Sequence, residues 1–205
     1  MKVKEEKVDN IYLNFDELKK IEKADLQQEY LINARDWLLI SCYLGQRVSD
    51  LMKFTSEHLR TENDKQLIEF TQQKTGKLMT VPLHPKVVEV LKKRNNQFPR
   101  PLSDQKYNDY LKVICKEAQL NEKVKGSKKL ETSKDSKIYR KQIGFYEKWE
   151  LVSSHIGRRS FATNFYGKIP TSYLIYVTGH STEKQFLTYI NKSNKDIALE
   201  LTNYF

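Results

Sequence analysis

The sequence predicts a mainly α-helical domain with small antiparallel β-hairpins, an α+β fold. Apolar residues recur at helical spacing along most of the 205 residues. The spacing changes to that of two short strands around a turn in residues 66–83. A second interruption, residues 121–148, is rich in Lys and Ser and poor in large aliphatic residues. The length suits one hydrophobic core, so we expect a single domain over residues 1–205.

Capping and stop signals place the first helices. Asn14 followed by Glu17 has the spacing of a capping box, which predicts a helix beginning there. A second helix is predicted over about residues 26–43, and Gly45 is a natural stop for it. A short third helix should span residues 48–54.

The middle of the chain alternates strand and helix signals. The β-hairpin predicted over residues 66–83 has Thr75 and Gly76 in its turn and lysines at its tip. A helix is predicted over residues 86–95, and Ser103 should cap another that ends near residue 118.

Residues 121–148 fit either a loop or a second, basic β-hairpin, and the aromatic residues interleaved along residues 138–149 favour a hairpin at the end of this segment. Beyond it, helices dominate. Helices are predicted over residues 155–166, 170–177 and 182–190, with a last one after Ser193. Ser181 is the expected N-cap of the helix that ends at residue 190.

The charge of the chain limits its class of partner. Lys and Arg number 36 against 26 Asp and Glu, a formal net charge of +10 at pH 7. Such a surplus favours nucleic acid or an anionic membrane, although ordinary solubility charge gives the same balance. No apolar run reaches the ~18 residues of a membrane span, and no signal peptide opens the chain. With Cys42 and Cys115 expected as buried free thiols, the composition favours a DNA-facing protein of the cytoplasm.

Two segments combine arginine with a neighbouring acid or histidine. In LGQRVSDL, Arg47 follows a helix-ending glycine, and Asp50 is placed to steady either the helix or the guanidinium group. In SSHIGRRSFATNFY, His155 and Arg158 share one helix face, and His155 lies at the positive N-terminal end. Taken singly, these patterns also fit a surface ion pair and an ordinary capped helix start.

A third segment, VTGHSTEKQFLTYI, places Tyr189 nine residues after His180. A tyrosine at helical spacing commonly belongs to a core. In combination, however, the three segments resemble the catalytic domain of the tyrosine recombinase, or phage integrase, family. The matching positions, in chain order, are Arg47, Lys74, His155, Arg158, His180 and Tyr189.

The resemblance spans roughly residues 10–195. The sequences of the SHIGRRSFATN and TGH boxes are most similar to those of integrases from mobile elements of Bacteroides-type bacteria. The family often has Thr-Gly-Leu before its first arginine, whereas this chain has Leu44-Gly45-Gln46. We expect that departure to be compatible with a surface position.

The resemblance implies DNA cleavage and rejoining through a covalent 3′-phosphotyrosine, with Tyr189 as nucleophile and no metal, ATP or other cofactor. Arg47 and Arg158 would clamp the phosphate by bidentate hydrogen bonds, and His180 would donate a third. The sequence also lacks the clustered carboxylates on which two-metal nucleases depend.

Two proton transfers complete the implied reaction. His155 would accept the proton of the tyrosine as general base, and Lys74 at the hairpin tip would protonate the departing 5′-oxygen. Lys77, across the same turn, is an alternative to Lys74.

The remaining basic residues would hold phosphates along the duplex, a sequence-tolerant and salt-sensitive contact. Arg159 should face away from the site, because it lies one step round the helix from Arg158. The residues expected at this DNA surface are Lys53, Arg60, Lys65, Lys77, Lys128, Lys129, Arg140, Lys141 and Arg159.

The implied partners are double-stranded DNA, further copies of the chain in a dimer or tetramer on DNA, and host or element-encoded accessory proteins. The free chain is expected to be a monomer. The core-binding and arm-binding N-terminal domains of complete family members are expected to be absent. Apolar residues of the last helix, among them Ile197 and Leu201, fit packing in cis or on a neighbouring copy.

Two alternatives to recombination remain open from the sequence. A type IB topoisomerase uses a similar set of residues to relax DNA, although the GH box nine residues before the tyrosine favours a recombinase. A regulator derived from an integrase would bind DNA without cleaving it, and the intact set of six residues argues against this reading.

Overall fold

The computed structural model describes residues 10–132 and 136–205. Residues 1–9, which bear on the signal-peptide expectation, and residues 133–135 of the predicted basic segment lie outside the described residues.

The first helices form where the sequence places their caps. In the capping box before α1 (Phe15–Lys23), the Asn14 side chain accepts from the Glu17 N–H at 2.9 Å, and the Glu17 carboxylate accepts from the Asn14 N–H at 2.8 Å. The long central helix α2 (Glu29–Leu44) ends at Gly45, whose φ of 70° lies in the left-handed region. Helix α3 (Val48–Leu51) is shorter than the predicted residues 48–54.

A three-stranded antiparallel sheet follows in the order β1-β2-β3, formed by β1 (Leu59–Glu62), β2 (Lys65–Thr71) and β3 (Leu78–Pro82). The hairpin of β2 and β3 was predicted, whereas β1 was not. Ile68 pairs with Val81, and both side chains are buried, so the register places the apolar face of the hairpin on the core.

The basic segment forms the hairpin that the sequence left open. Strands β4 (Lys123–Glu131) and β5 (Tyr139–Glu147) pair antiparallel over nine residues each. This hairpin follows α4 (Pro85–Lys93) and α5 (Asp104–Glu117), the second of which begins at the predicted Ser103 cap.

A short helix that the sequence did not indicate, α6 (Lys148–Leu151), joins the hairpin to the rest of the fold. Its first residue, Lys148, is buried and donates to the Glu17 carboxylate of α1 at 2.6 Å. The base of the second hairpin is thereby fixed to the first helix of the chain.

Four helices complete the fold: α7 (Ile156–Phe165), α8 (Thr171–Thr178), α9 (Glu183–Tyr189) and α10 (Asn194–Leu201). Thr182, and not the expected Ser181, is the N-cap of α9, and its hydroxyl accepts from the Gln185 N–H at 3.2 Å. Helix α10 begins after Ser193 as predicted, and Ser193 is its N-cap.

Helices α2 and α7 pack against each other at the centre. A Cβ atom at Gly157 would lie 2.1 Å from the Ser41 hydroxyl, so the glycine is what allows the two helices to approach this closely. Cys42 and Cys115 are free thiols buried in the same core, as the sequence predicted.

The last helix keeps much of its apolar surface exposed. Leu199 and Leu201 are each more than half exposed, and Tyr166 holds α10 through a hydrogen bond to the Glu200 carboxylate at 2.9 Å. None of the helices in residues 10–132 and 136–205 is long and apolar enough to cross a membrane.

Candidate active site

The end of α2 and the start of α7 bring two arginines together. Arg158 is only 5% exposed and donates to the Gly45 carbonyl oxygen at 3.2 Å, while Arg47 is the N-cap of α3. Burial lowers the pKa of Arg158 to about 10, and the positive charge of Arg47 acts in the same direction. Arg158 therefore remains charged at neutral pH, and with Arg47 beside it this part of the molecule favours an anion.

Tyr189, the last residue of α9, lies beside these arginines. Its hydroxyl is buried and forms no hydrogen bond of good geometry among the described residues, although the Arg158 guanidinium group lies close enough to interact with it. Burial raises the pKa of Tyr189, and the charges of Arg159, Arg158 and Arg47, in that order, oppose the rise. The guanidinium groups therefore favour the tyrosinate that a nucleophile needs.

The expectation that Arg159 faces away from the site is wrong. Its guanidinium group lies over the Tyr189 ring, 5.4 Å from the centroid, and donates to the Ile11 carbonyl oxygen at 3.2 Å. Its Nε atom is buried without a partner in the described structure. The chain segment before α1 fixes this side chain against the tyrosine, a long-range contact that helical spacing within α7 does not reveal.

His180 packs directly on the tyrosine. The two ring centroids are 4.9 Å apart, and Nδ1 of His180 lies 2.8 Å from the Thr178 hydroxyl. Burial lowers the pKa of His180 to about 4, and the charges of Arg158 and Arg47 add to the effect. The histidine is therefore neutral at pH 7.

His155 occupies the expected helix start but is less closely associated with the tyrosine. It is the N-cap of α7, its side chain is exposed, and no ring contact with Tyr189 occurs among the described residues. Desolvation lowers the pKa of His155, followed by the charges of Arg159 and Arg158.

The β2–β3 hairpin carries Lys74 in an exposed turn. Asp50 in α3 accepts a hydrogen bond from the Gln73 N–H at 2.8 Å, so it holds the hairpin. Of the two alternatives for Asp50, a pairing with the Arg47 guanidinium group is not among the hydrogen bonds and ion pairs of the described residues. Lys77 lies over the ring of Tyr176 at 4.9 Å, which leaves Lys74 as the freer of the two lysines.

The expectation that Gln46 lies on the surface is also wrong, because this residue is only 1% exposed. Its side-chain amide donates to the Leu44 and Val177 carbonyl oxygens at 3.0 and 3.1 Å, and so ties the end of α2 to α8. Sequence reasoning also missed Gln72, which is buried against Gly179. No local signal marks these two glutamines, since both contacts join distant segments.

Buried side-chain polar atoms without a hydrogen-bond partner are concentrated around Tyr189 and the arginines. Buried polar atoms usually have partners, so this concentration marks a place for a polar ligand or water. The described residues contain seven buried side-chain N and O atoms without a partner. One of them, the Tyr107 hydroxyl, lies in the core, and the other six belong to residues of the candidate site. The other six are Gln46 Oε1, Arg47 Nη1, Asp50 Oδ2, Gln72 Nε2, Arg159 Nε and Tyr189 Oη.

The expected DNA-contact residues differ in how free they are. Arg60 donates to the carbonyl oxygens of Glu57 and Leu59, and Lys128 forms an ion pair with Glu150. The exposed members of the set are Lys53, Arg60, Lys65, Lys77, Lys129, Arg140 and Lys141. Within the described ranges, no group of three or more His, Cys, Asp or Glu residues is arranged to hold a metal ion.

The helical fold with its small sheets, and a tyrosine beside three arginines, define the class: the catalytic domain fold of tyrosine recombinases. The chain belongs to the phage integrase family, whose model matches residues 11–196. No curated protein sequence matches it.

Solved structures of this class share the fold at low sequence identity. The XerH recombinase on its palindromic difH substrate, in a post-cleavage complex, is 17% identical at a TM-score of 0.60, with 94% of this chain and 53% of that chain covered. The Tn1549 transposon integrase with transposon right-end DNA is 14% identical at a TM-score of 0.63, covering 100% and 68%. The lambda integrase catalytic core is 19% identical at a TM-score of 0.59, covering 83% and 92%. The chain thus spans about half the length of the XerH structure and nearly all of the catalytic core.

Proposed function

We propose that this chain is the catalytic domain of a site-specific recombinase that cleaves and rejoins DNA through Tyr189. The observation that carries the proposal is the position of the Tyr189 hydroxyl, which is buried and surrounded by the positive charges of Arg47, Arg158 and Arg159. A phosphodiester placed there meets both a nucleophile and the charges that its transition state requires.

In the proposed reaction the Tyr189 oxygen attacks phosphorus, the bond from phosphorus to the 5′-oxygen breaks, and a 3′-phosphotyrosine forms. Arg47 and Arg158 bind the non-bridging oxygens, on which negative charge accumulates. The bond energy is retained in the intermediate, so a second 5′-hydroxyl can reverse the reaction on a new strand without ATP.

Lys74 is the proposed acid for the departing 5′-oxygen. Its turn is tethered to the site by the Asp50 bond to Gln73 and by the packing of Gln72 on Gly179. Lys77 is engaged with the Tyr176 ring, which favours Lys74 for this role.

We propose that residues 10–205 act as one catalytic unit with double-stranded DNA as partner, and that copies assemble as a dimer or tetramer on it. The second hairpin adds exposed cations, Arg140 and Lys141 among them, for sequence-tolerant phosphate contacts. Binding by the isolated chain should therefore be weak and should fall steeply with salt. Nanomolar affinity for one site at physiological salt would contradict this.

The similarity of the two sequence boxes to mobile-element integrases supports a bacterial host. The two buried free thiols, Cys42 and Cys115, suit a reducing compartment such as the cytoplasm.

A nicked suicide substrate tests the chemistry, because loss of a short 5′-hydroxyl fragment traps the covalent complex. Wild type should form a protein–DNA adduct stable to denaturant, Tyr189→Phe should form none, and the exposed Tyr173→Phe should match wild type. No adduct from wild type would refute the proposal in favour of a DNA-binding regulator. An equal adduct from Tyr189→Phe would refute Tyr189 as the nucleophile. Relaxation of supercoiled DNA without strand exchange between two sites would favour a topoisomerase.

A further inference from the structure

The hydroxyl group of Thr178 lies between a carbonyl oxygen and a ring nitrogen of histidine. It donates to the Leu174 carbonyl oxygen at 2.5 Å, and its oxygen lies 2.8 Å from Nδ1 of His180. Thr178 is fully buried, so water does not compete for either contact.

Because the Thr178 hydroxyl has only one proton to donate, its hydrogen bonds determine the tautomer of His180. A carbonyl oxygen only accepts, so the single Thr178 proton is committed to Leu174. The contact with His180 then needs its proton from the ring, which makes Nδ1 the donor and Thr178 the acceptor. In the neutral ring, Nε2 is left with a lone pair.

The surroundings of His180 keep the ring neutral. The charged groups that act on it are Arg158 from α7 and Arg47 from the start of α3, both cations that disfavour an imidazolium. On the α9 side the ring contacts Phe186 at 5.6 Å and Tyr189 at 4.9 Å between centroids. Tyr189 is thus the titratable group in direct ring contact with this histidine.

We propose that Thr178 is a positioning residue that keeps the proton of His180 on Nδ1, so that Nε2 accepts the proton of Tyr189 during cleavage. The O–H bond of Tyr189 breaks and an Nε2–H bond forms, while the tyrosine oxygen attacks phosphorus. The resulting imidazolium then donates from Nε2 to the phosphate. The incoming phosphate supplies the negative charge that offsets Arg47 and Arg158 and makes His180 more basic.

This assignment differs from the one based on the sequence, in which His155 is the base and His180 a donor from the outset. The exposed position of His155, without a ring contact to Tyr189 in the described structure, agrees with the change. The tautomer part of the proposal concerns the free protein, whereas the proton-transfer part rests on the proposed function.

The tautomer is measured without DNA by ¹⁵N NMR of the histidine side chains at pH 7, with His180 assigned by its loss in His180→Gln. Wild type and Thr178→Ser should show the Nδ1–H form. Thr178→Val, which has the same shape but no hydroxyl, should shift His180 towards the Nε2–H form. Near-ultraviolet circular dichroism checks that each variant is folded. An unchanged Nδ1–H signal in folded Thr178→Val would overturn the proposal.

Cleavage of the suicide substrate tests the second part. Thr178→Val should slow adduct formation by roughly 10²-fold, while Thr178→Ser should remain close to wild type. His180→Gln should lose more activity than His155→Gln. An equal or larger loss in His155→Gln, or a fully active Thr178→Val, would overturn the role of His180 as proton acceptor. If wild type forms no adduct, the proposed function fails, and the NMR result still decides the tautomer.

Discussion

The guanidinium group of Arg159 lies over the ring of Tyr189, 5.4 Å from its centroid, and carries the largest single charge effect lowering the pKa of that tyrosine. Arg159→Met removes the charge and keeps the length of the side chain. The pKa of Tyr189 should rise, and cleavage at neutral pH should slow about tenfold, as expected for one cation–π contact.

A tyrosine Cζ ¹³C NMR titration measures this pKa directly, with Tyr189→Phe providing the assignment. Lys168→Met is the matched control, because the Lys168 ammonium lies over the ring of Phe15 at 4.3 Å, another cation–π contact. A Tyr189 titration that is the same in Arg159→Met and wild type would contradict the role given to Arg159.

Gly157→Ala should destabilise the protein by about 1–3 kcal/mol, because the new methyl group overpacks the contact between α7 and Ser41 of α2. Alanine is the better helix former, so a loss of stability would come from the clash alone. Urea unfolding measures the change. Gly144→Ala is the control, since its Cβ meets only ordinary contacts of 3.4 Å or more and should change stability little.

The buried ion pair of Lys148 with Glu17 should be costly to break. Lys148→Met leaves the Glu17 carboxylate without its cation and should lower the free energy of unfolding by about 3–5 kcal/mol. Lys19→Met breaks the exposed pair with Asp16 and should cost about 1 kcal/mol or less. Similar losses for the two variants in urea unfolding would show that burial of the first pair is unimportant.

Stability should fall as the pH is lowered from about 7.5 to about 5.5. The pKa values of His84, His155 and His180 are lower in the folded chain than the ordinary value near 6.5, so the unfolded chain binds more protons in this window. Protonation therefore favours unfolding. His180, whose folded pKa is about 4, should account for on the order of 2 kcal/mol once the pH is well below 4, after partial solvent screening.

Urea unfolding at several pH values gives the slope of the free energy of unfolding against pH, and His180→Gln should make this slope shallower. Carboxylates with lowered pKa values, such as Glu150, act in the same direction but at lower pH. A free energy of unfolding that stays constant between pH 7.5 and 5.5 would contradict the prediction.

Local signals predicted most of the helices. Asn14 and Ser103 were recognised as caps because capping depends on residues close together in the sequence, here three apart. Strand β1 was missed because its four residues are half-buried or exposed and show no apolar alternation. Helix α6 was missed because a single turn is too short to display a helical period.

In the candidate site, too, local sequence patterns were recognised and long-range contacts were not. The six residues of the family pattern were found from order and spacing, but their roles there remain proposals. The positions of Gln46 and Arg159 were wrongly expected, because each is determined by a contact across the fold, to α8 and to Ile11. The bond from Asp50 to the hairpin is another such contact, and it was not expected. A single sequence carries no direct record of such contacts.

The unpartnered polar atoms around Tyr189 imply a trade-off between stability and activity. Each buried donor or acceptor without a partner costs the native state on the order of 1–3 kcal/mol, and six of them lie in this one region of the described chain. The fold is less stable in this region, but its polar groups are already dehydrated and oriented before a phosphate binds. An inactive Tyr189→Phe chain should accordingly melt at a higher temperature than the active one, which differential scanning calorimetry can measure.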